Sequence, residues 1–240
     1  MTEAEWLAST DLHEMLAFLD GKASDRKVKL FAVACCRRIW SYFQSRLSRR
    51  AVEAVEKAID DPAESGDLAD SLRHSRAYCD SDDARSTETG CSAAFAAASL
   101  AELYPEEKQI WIATRTSECA RNAHYWVAHE AATLRGCDQT LAQIMGETSE
   151  LCEATVQAAL LREIVPNPFR RIAIEPRWLS SDVIALARGI YDDRAFDRLP
   201  ILADALLDAR CDNADILDHC RSPGPHVRGC WVVDLLTGRS

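Results

Sequence analysis

Nothing between Asp138 and Val165 stops a helix. The stretch holds no proline, and Leu141, Ile144, Met145, Leu151, Cys152, Val156, Leu160, Leu161 and Ile164 run along it as apolar positions. Asp138 or Thr140 opens it, and Pro166-Asn167-Pro168-Phe169 closes it. Proline lacks an amide hydrogen and disfavours helix in the residue before it. A segment this long predicts a helix to about Val165 and a chain that is mainly helical around it. Only nine glycines and eight prolines in 240 residues, with many alanines, point the same way. The expected fold class is all-α, an irregular multi-helix globular domain over 1–240 with a sub-boundary at 166–178. Extended chain is confined to about 170–175, where Ile172 and Ile174 alternate with polar residues, and at most to the C-terminal run.

The remaining helices follow from caps and spacing. Thr2 and Glu5 fit a capping box, Asp11 restarts the chain, and Gly21 stops it. Ser24 or Asp25 opens a helix to about Phe43, with Val28, Phe31, Cys35, Ile39 and Tyr42 as its core stripe. Ser48 is a candidate cap for the next helix, which Asp60-Asp61-Pro62 ends; Ser65-Gly66-Asp67 is a turn, 67–79 a further helix and 80–90 a loop. An Ala-rich helix follows Gly90. Tyr104-Pro105-Glu106-Glu107 marks the start of another, to about Leu134. Ser180 or Ser181 caps a helix to Tyr191. Asp197 caps the next, with Pro200 in its first turn and Leu199, Ile201, Leu202, Leu206 and Leu207 expected inside.

The densest chemistry lies in CDNADILDHCRSPGPHVRGCWVVDLL, Cys211 to Leu236. Asp212-Asn213 caps a short helix that Ser222-Pro223-Gly224-Pro225 ends. Cys230 to Leu236 reads equally as a closing helix or a buried strand. Cys211, His219, Cys220, His226 and Cys230 are suitable types for tetrahedral zinc. Their spacing lacks a C-x2-C knuckle, and successive residues such as His219 and Cys220 point about 100° apart on a helix. The preferred reading is therefore that the cysteines are small core residues, with zinc the minority alternative and no cofactor expected. A nucleophile pair of His226 with Cys220 or Cys230 is weaker still, because sequence shows neither a positioned base nor an accessible thiol. His124 and His129, five apart, miss the spacing of the H-E-x-x-H zinc helix and read as ordinary helix residues.

Charge is uneven. Between Lys22 and Arg50 stand nine basic residues and one acid, +8 within a chain of net charge −10. That face suits phosphate, nucleic acid or an acidic partner. The acidic remainder of the chain can equally pair with it, which is the preferred reading, and nucleic acid is disfavoured. Ten cysteines without a recognisable signal peptide fit reduced thiols in a cytoplasm, and no apolar run reaches the length of a membrane span.

Two stretches, TEAEWL…MLAFLDGKASDRKVKLFAVACCRRIW and NPFRR…EPRWLSSDVIALARGIYDDRAFDRLPILADALLDARCDNADILDHCRSPGPHVRGCWVVDLLTG, resemble the ends of a family of uncharacterised bacterial proteins with a variable Ala-rich middle. The resemblance covers most of 1–50 and 165–238. It implies no activity, substrate or catalytic residue. It implies that the ends belong together, so that the helix bearing Arg37 and Arg38 is expected against Asp215, Asp218 or Asp234.

The function expected first is a non-enzymatic helical protein-interaction module with a protein partner that sequence does not name. Its binding residues would be Arg37, Arg38, Arg221, His226 and Arg228, since arginine on a rigid proline loop is a good anchor. The alternatives are a metal- or small-ligand-binding protein using the C-terminal Cys/His set, with catalysis open to it, and phosphate or nucleic-acid binding through 22–50.

Overall fold

The structure, a computed structural model, describes residues 1–61, 67–100 and 109–239. The Ser65-Gly66 turn and the Tyr104 to Glu107 helix start lie outside them. Among the described residues every regular element is a helix. The twelve α-helices are α1 (Glu3–Ala8), α2 (Leu12–Leu19), α3 (Asp25–Arg38), α4 (Arg46–Asp60), α5 (Leu68–Cys79), α6 (Glu88–Ser99), α7 (Gln109–Leu134), α8 (Gln139–Ile164), α9 (Ser181–Asp193), α10 (Leu199–Asp208), α11 (Ala214–Arg221) and α12 (Trp231–Thr237). None of these is long and apolar enough to cross a membrane. The chain forms two compact units, Met1–Ala158 and Ala159–Ser240, and the division falls inside α8, upstream of the 166–178 break.

In unit 1 the caps follow local chemistry. The Thr2 hydroxyl accepts from the Glu5 amide while the Glu5 carboxylate accepts from the Thr2 amide at 2.7 Å. Asp11 accepts from the Glu14 amide and Ser24 from the Lys27 amide, so each helix starts where a short polar side chain can take an orphan N–H. Gly21, at φ +67°, makes the left-handed turn after α2. Three boundaries differ from expectation, the first being α6, which opens at Glu88 under a Thr87 cap and so takes in Gly90. α3 stops at Arg38 and passes into a 3-10 turn at Trp40–Tyr42. α4 is capped by Ser45, whose hydroxyl accepts from the Leu47 amide; Ser48 sits buried inside the helix.

The core of unit 1 is built on α3, α6 and α7. Val28, Phe31, Cys35 and Ile39 are buried, as their spacing predicted, whereas Tyr42, the fifth residue of that stripe, is half-buried in the 3-10 turn. On α6, Ala93, Ala94, Ala96, Ala97 and Ala98 are all buried, and α7 answers with Ala113, Ala120 and Ala123. Small side chains on both partners let the two helices approach closely. α8 departs from expectation. Its large apolar residues Leu141, Ile144 and Leu151 are exposed, while Ala142, Gly146, Glu153, Gln157 and Ala158 are buried. A Cβ at Gly146 would lie 2.6 Å from the Tyr125 ring, so the inward face is the small and polar one.

Unit 2 packs α9 to α12 around Trp178, Val183, Ile190, Tyr191, Leu202, Leu206, Ile216, Val232, Val233 and Leu236. The Ser180 hydroxyl caps α9 and the Asn213 carbonyl oxygen caps α11. Asp197 does not cap α10; it lies in a 3-10 turn, Phe196–Arg198, that feeds directly into that helix. Leu199, Leu202 and Leu206 take the buried face of α10, which leaves Ile201 and Leu207 exposed, contrary to expectation. Residues 171–175 are irregular, and the C-terminal run is a helix closed by Gly238 at φ +70°.

Candidate metal centre

Four side chains of unit 2 converge. Glu163 comes from the last turn of α8, whose neighbours Leu160, Leu161, Ile164 and Val165 are all buried. His219 comes from α11. The proline loop after α11 brings in His226, and a turn in which the Cys230 amide donates to the Val227 carbonyl, with Gly229 at φ +96°, sets Cys230 at the head of α12. One ligand-type atom from each of the four lies within 4.8 Å of all the others.

The distances define a hydrogen-bonded knot. Glu163 Oε2 lies 3.1 Å from His226 Nδ1 and 3.2 Å from His219 Nε2. His219 Nε2 is also 3.2 Å from the Cys230 sulfur. The Glu163 side chain is 4% exposed and that of His226 9%, so the knot is nearly closed to solvent. The second carboxylate oxygen, Glu163 Oε1, is buried and has no hydrogen-bond partner. A buried carboxylate oxygen without a partner is uncommon and calls for one.

Partners on the far side fix the protons. Trp231 Nε1 lies 2.9 Å from His219 Nδ1, and an indole N–H only donates, so His219 carries its proton on Nε2, toward Glu163 and Cys230. His226 Nε2 donates to the Ser222 carbonyl at 3.0 Å. Its Nδ1 faces Glu163. Burial alone would lower the His226 pKa, but the bond to Glu163, its charge and the Ser222 carbonyl together hold it above the ordinary 6.5. Burial likewise pushes Glu163 up, yet the bonds from His219 and His226, with the positive charge of His226, hold it below the ordinary 4.5. Burial, reinforced by the Glu163 charge, pushes the Cys230 thiol well up. Without an ion, and below the raised His226 pKa, the knot is carboxylate, imidazolium, neutral imidazole and thiol.

The donor set suits a borderline-soft divalent ion, which binds thiolate, imidazole and carboxylate together. His226 is ready for that role. An ion at Nδ1 would leave Nε2–H on the Ser222 carbonyl, the outer support that orients metal-bound imidazoles. Glu163 and Cys230 fit equally. His219 fits on one condition: coordination at Nε2 moves its proton to Nδ1, which displaces the Trp231 N–H.

The sequence-derived metal set thus divides. His219, His226 and Cys230 come together with Glu163. Cys220 is fully buried in the unit 2 core, one residue from His219 but outside the converging group, and Cys211 lies in the same core. Burial pushes Cys220 to about 12. Cys230 is hydrogen-bonded to His219 Nε2 at 3.2 Å. Held as a buried thiol, it lacks the thiolate and access a nucleophile needs.

The arginines named for binding divide between the two units, Arg37 and Arg38 in unit 1 and Arg221 and Arg228 in unit 2. Arg37 pairs with Glu56 and lies over Trp40; Arg38 pairs with the buried Glu153 at 2.7 Å. Within unit 1, acids of the same unit take both guanidinium groups. Arg26 and Arg50 pair with Asp60 and Asp67, so at least four of the nine bases of 22–50 face acids of their own unit. Arg221 reaches Asp204 at 3.4 Å and Arg228 lies over Tyr191. His124 belongs to the Arg38–Glu153 group, 3.3 Å from Glu153, and His129 stacks on Tyr125.

Glu163 was missed by sequence. The available signal was an acid in an apolar closing turn, Leu-Leu-Arg-Glu-Ile-Val; its partners stand more than 50 residues away. The chain matches no protein-family model, no curated protein and no solved structure.

Proposed function

We propose that unit 2 binds one divalent transition-metal ion, zinc by its donor chemistry, through Glu163, His226 and Cys230, with His219 as the fourth ligand. The observation that carries this reading is the knot itself: four suitable ligand atoms within 4.8 Å, with a buried carboxylate oxygen left without a partner. Tetrahedral zinc with ligand bonds of about 2.0–2.3 Å draws its ligands to comparable mutual distances. Charge supports it as well. Carboxylate plus imidazolium is neutral, and zinc with carboxylate, thiolate and two neutral imidazoles is neutral too. Uptake exchanges two protons, from His226 and Cys230, for the ion, so affinity rises with pH. Four protein ligands in a nearly closed site make the ion a structural clasp joining α8, α11, the proline loop and α12.

The test is metal content of the full chain after zinc loading and dialysis, for wild type, Cys230→Ser and His226→Ala. About one zinc per chain, lost in both variants, is expected. Retention of no metal by folded wild-type protein, or unchanged retention in the variants, overturns the reading.

A further inference from the structure

We propose that unit 1 pairs with a second copy of this chain through the outward face of α8, the two helices running antiparallel. Leu141, Ile144, Met145, Leu151 and Cys152, with Thr148 and Thr155, lie at i, i+3, i+4, i+7, i+10, i+11 and i+14 and so form one stripe. All seven are exposed, Leu141 by 45%, Ile144 by 52% and Leu151 by 65%, and none is charged. The opposite face of the same helix is already buried in unit 1. Turning α8 over to hide the stripe would strip the buried Glu153 from Arg38. A contiguous apolar surface of this kind marks an interaction site.

The threonines do not make the stripe polar. Thr148 donates to the Ile144 carbonyl at 2.7 Å and Thr155 to the Leu151 carbonyl at 3.1 Å. Each hydroxyl is satisfied within its own helix, so covering the stripe strands no donor. By residue type and exposure the seven present on the order of 600 Å² per copy, so a pair covers roughly 1,200 Å², the lower edge of stable protein–protein interfaces.

Shape selects the occupant. The stripe is symmetric about Thr148, each position having a counterpart at equal distance on the other side. Its N-terminal half is bulky, with Leu141, Ile144 and Met145. Its C-terminal half carries Cys152 and Thr155 beside one large residue, Leu151. Reversing a second copy sets bulk against small: Leu141 meets Thr155, Ile144 meets Cys152, Met145 meets Leu151 and Thr148 meets itself. Facing large and small residues interdigitate, and the two-fold axis makes each contact twice. A parallel pair would crowd the bulky halves and leave the small halves apart. The acids of this part of α8 are engaged elsewhere. Asp138 accepts from the Leu141 amide, Glu147 from Gln143 at 2.8 Å, and Glu150 lies 3.9 Å from Arg121 of α7. The two Glu147 carboxylates fall on one flank of the pair near its centre, a repulsion that salt screens.

The test is sedimentation velocity on the full chain at physiological salt, with chelator and reductant present, from about 1 to 200 µM. A monomer–dimer equilibrium with a Kd of about 1–50 µM is expected. Ile144→Glu with Leu151→Glu, both at exposed positions, should weaken it at least about 100-fold, whereas Ile201→Glu, at an exposed apolar position of unit 2, should leave it unchanged. In wild-type protein Cys152 alkylation, fast when dilute, should slow several-fold as the dimer forms, a readout that needs no variant. For direction, diamide, a thiol oxidant, should link Ile144→Cys to Cys152 of the second copy, and the link should be lost when Cys152→Ser is added. A chain that stays monomeric up to about 200 µM, with Cys152 alkylation independent of concentration, overturns the proposal and leaves the face to a different partner. A dimer that survives the paired glutamate substitutions, or that Ile201→Glu weakens equally, overturns it too. So does wild-type Cys152 linking to its own copy faster than Ile144→Cys links to Cys152.

Discussion

Replacing Glu163 by glutamine, with chelator present so that no metal contributes, isolates the proton chemistry of the knot. Glu163 Oε2 accepts from two imidazoles, His219 and His226. Glutamine offers one carbonyl acceptor, and its amide N–H2 then faces a ring N–H. Losing one charge-assisted bond and stranding a buried donor costs about 2–3 kcal/mol, roughly a 30- to 150-fold change in an opening equilibrium. The pH dependence has a definite sign. Glu163 has a lowered pKa, so its contribution is present above its unfolded value and is lost as pH falls through the folded one. His226 has a raised pKa, so its contribution is full below its unfolded value and is lost as pH rises through the folded one. Both are in force between about 4.5 and 6.5. Above its raised folded pKa His226 is neutral, and the glutamine N–H2 can donate to its Nδ1, so wild type and variant converge. Amide exchange followed by mass spectrometry on peptides covering α11 and α12, each variant against wild type at the same pH, reads the difference. A large gap near pH 5.5 that shrinks several-fold near pH 8 is expected. Equal gaps at both pH values, or none at pH 5.5, would refute the assigned protonation states.

Three further outcomes test the packing. Arg38→Met leaves Glu153, which is 1% exposed, without its main counter-charge and should cost about 3–5 kcal/mol in a urea melt; adding Glu153→Gln should recover much of that loss. Gly146→Ala puts a methyl group 2.6 Å from the Tyr125 ring and should destabilise unit 1 by about 1–3 kcal/mol, seen as a lower melting temperature. In the folded protein Cys152 should react first with a thiol reagent, whereas Cys35, Cys36, Cys79, Cys211, Cys220 and Cys230 should react only on unfolding, because all six are buried.

Sequence legibility followed the range of the forces. Caps are local, so Thr2, Asp11, Ser24, Ser180 and Asn213 could be read directly, and long proline-free stretches made the all-α class plain. Which face of a helix turns inward was harder. α8 carries its large apolar residues outward because Gly146 and Ala142 permit an approach that bulkier side chains would block. Ser48 lost its capping role to Ser45 by one turn of chain, and the C-terminal run became helical where periodicity was silent. At the site, three of the four converging side chains belong to the Cys211 to Leu236 stretch, and the 100° rule already separated His219 from Cys220. The fourth, Glu163, and the Trp231 bond to His219 depend on contacts that no local pattern encodes.

The most direct test of the metal centre is the absorption spectrum of the full chain titrated with cobalt(II) in place of zinc. The account predicts a thiolate-to-cobalt charge-transfer band and intense tetrahedral ligand-field bands that saturate at about one ion per chain, vanish in Cys230→Ser and are displaced by zinc. A weak octahedral spectrum without a thiolate band in folded wild-type protein, or a band that survives Cys230→Ser, would contradict it.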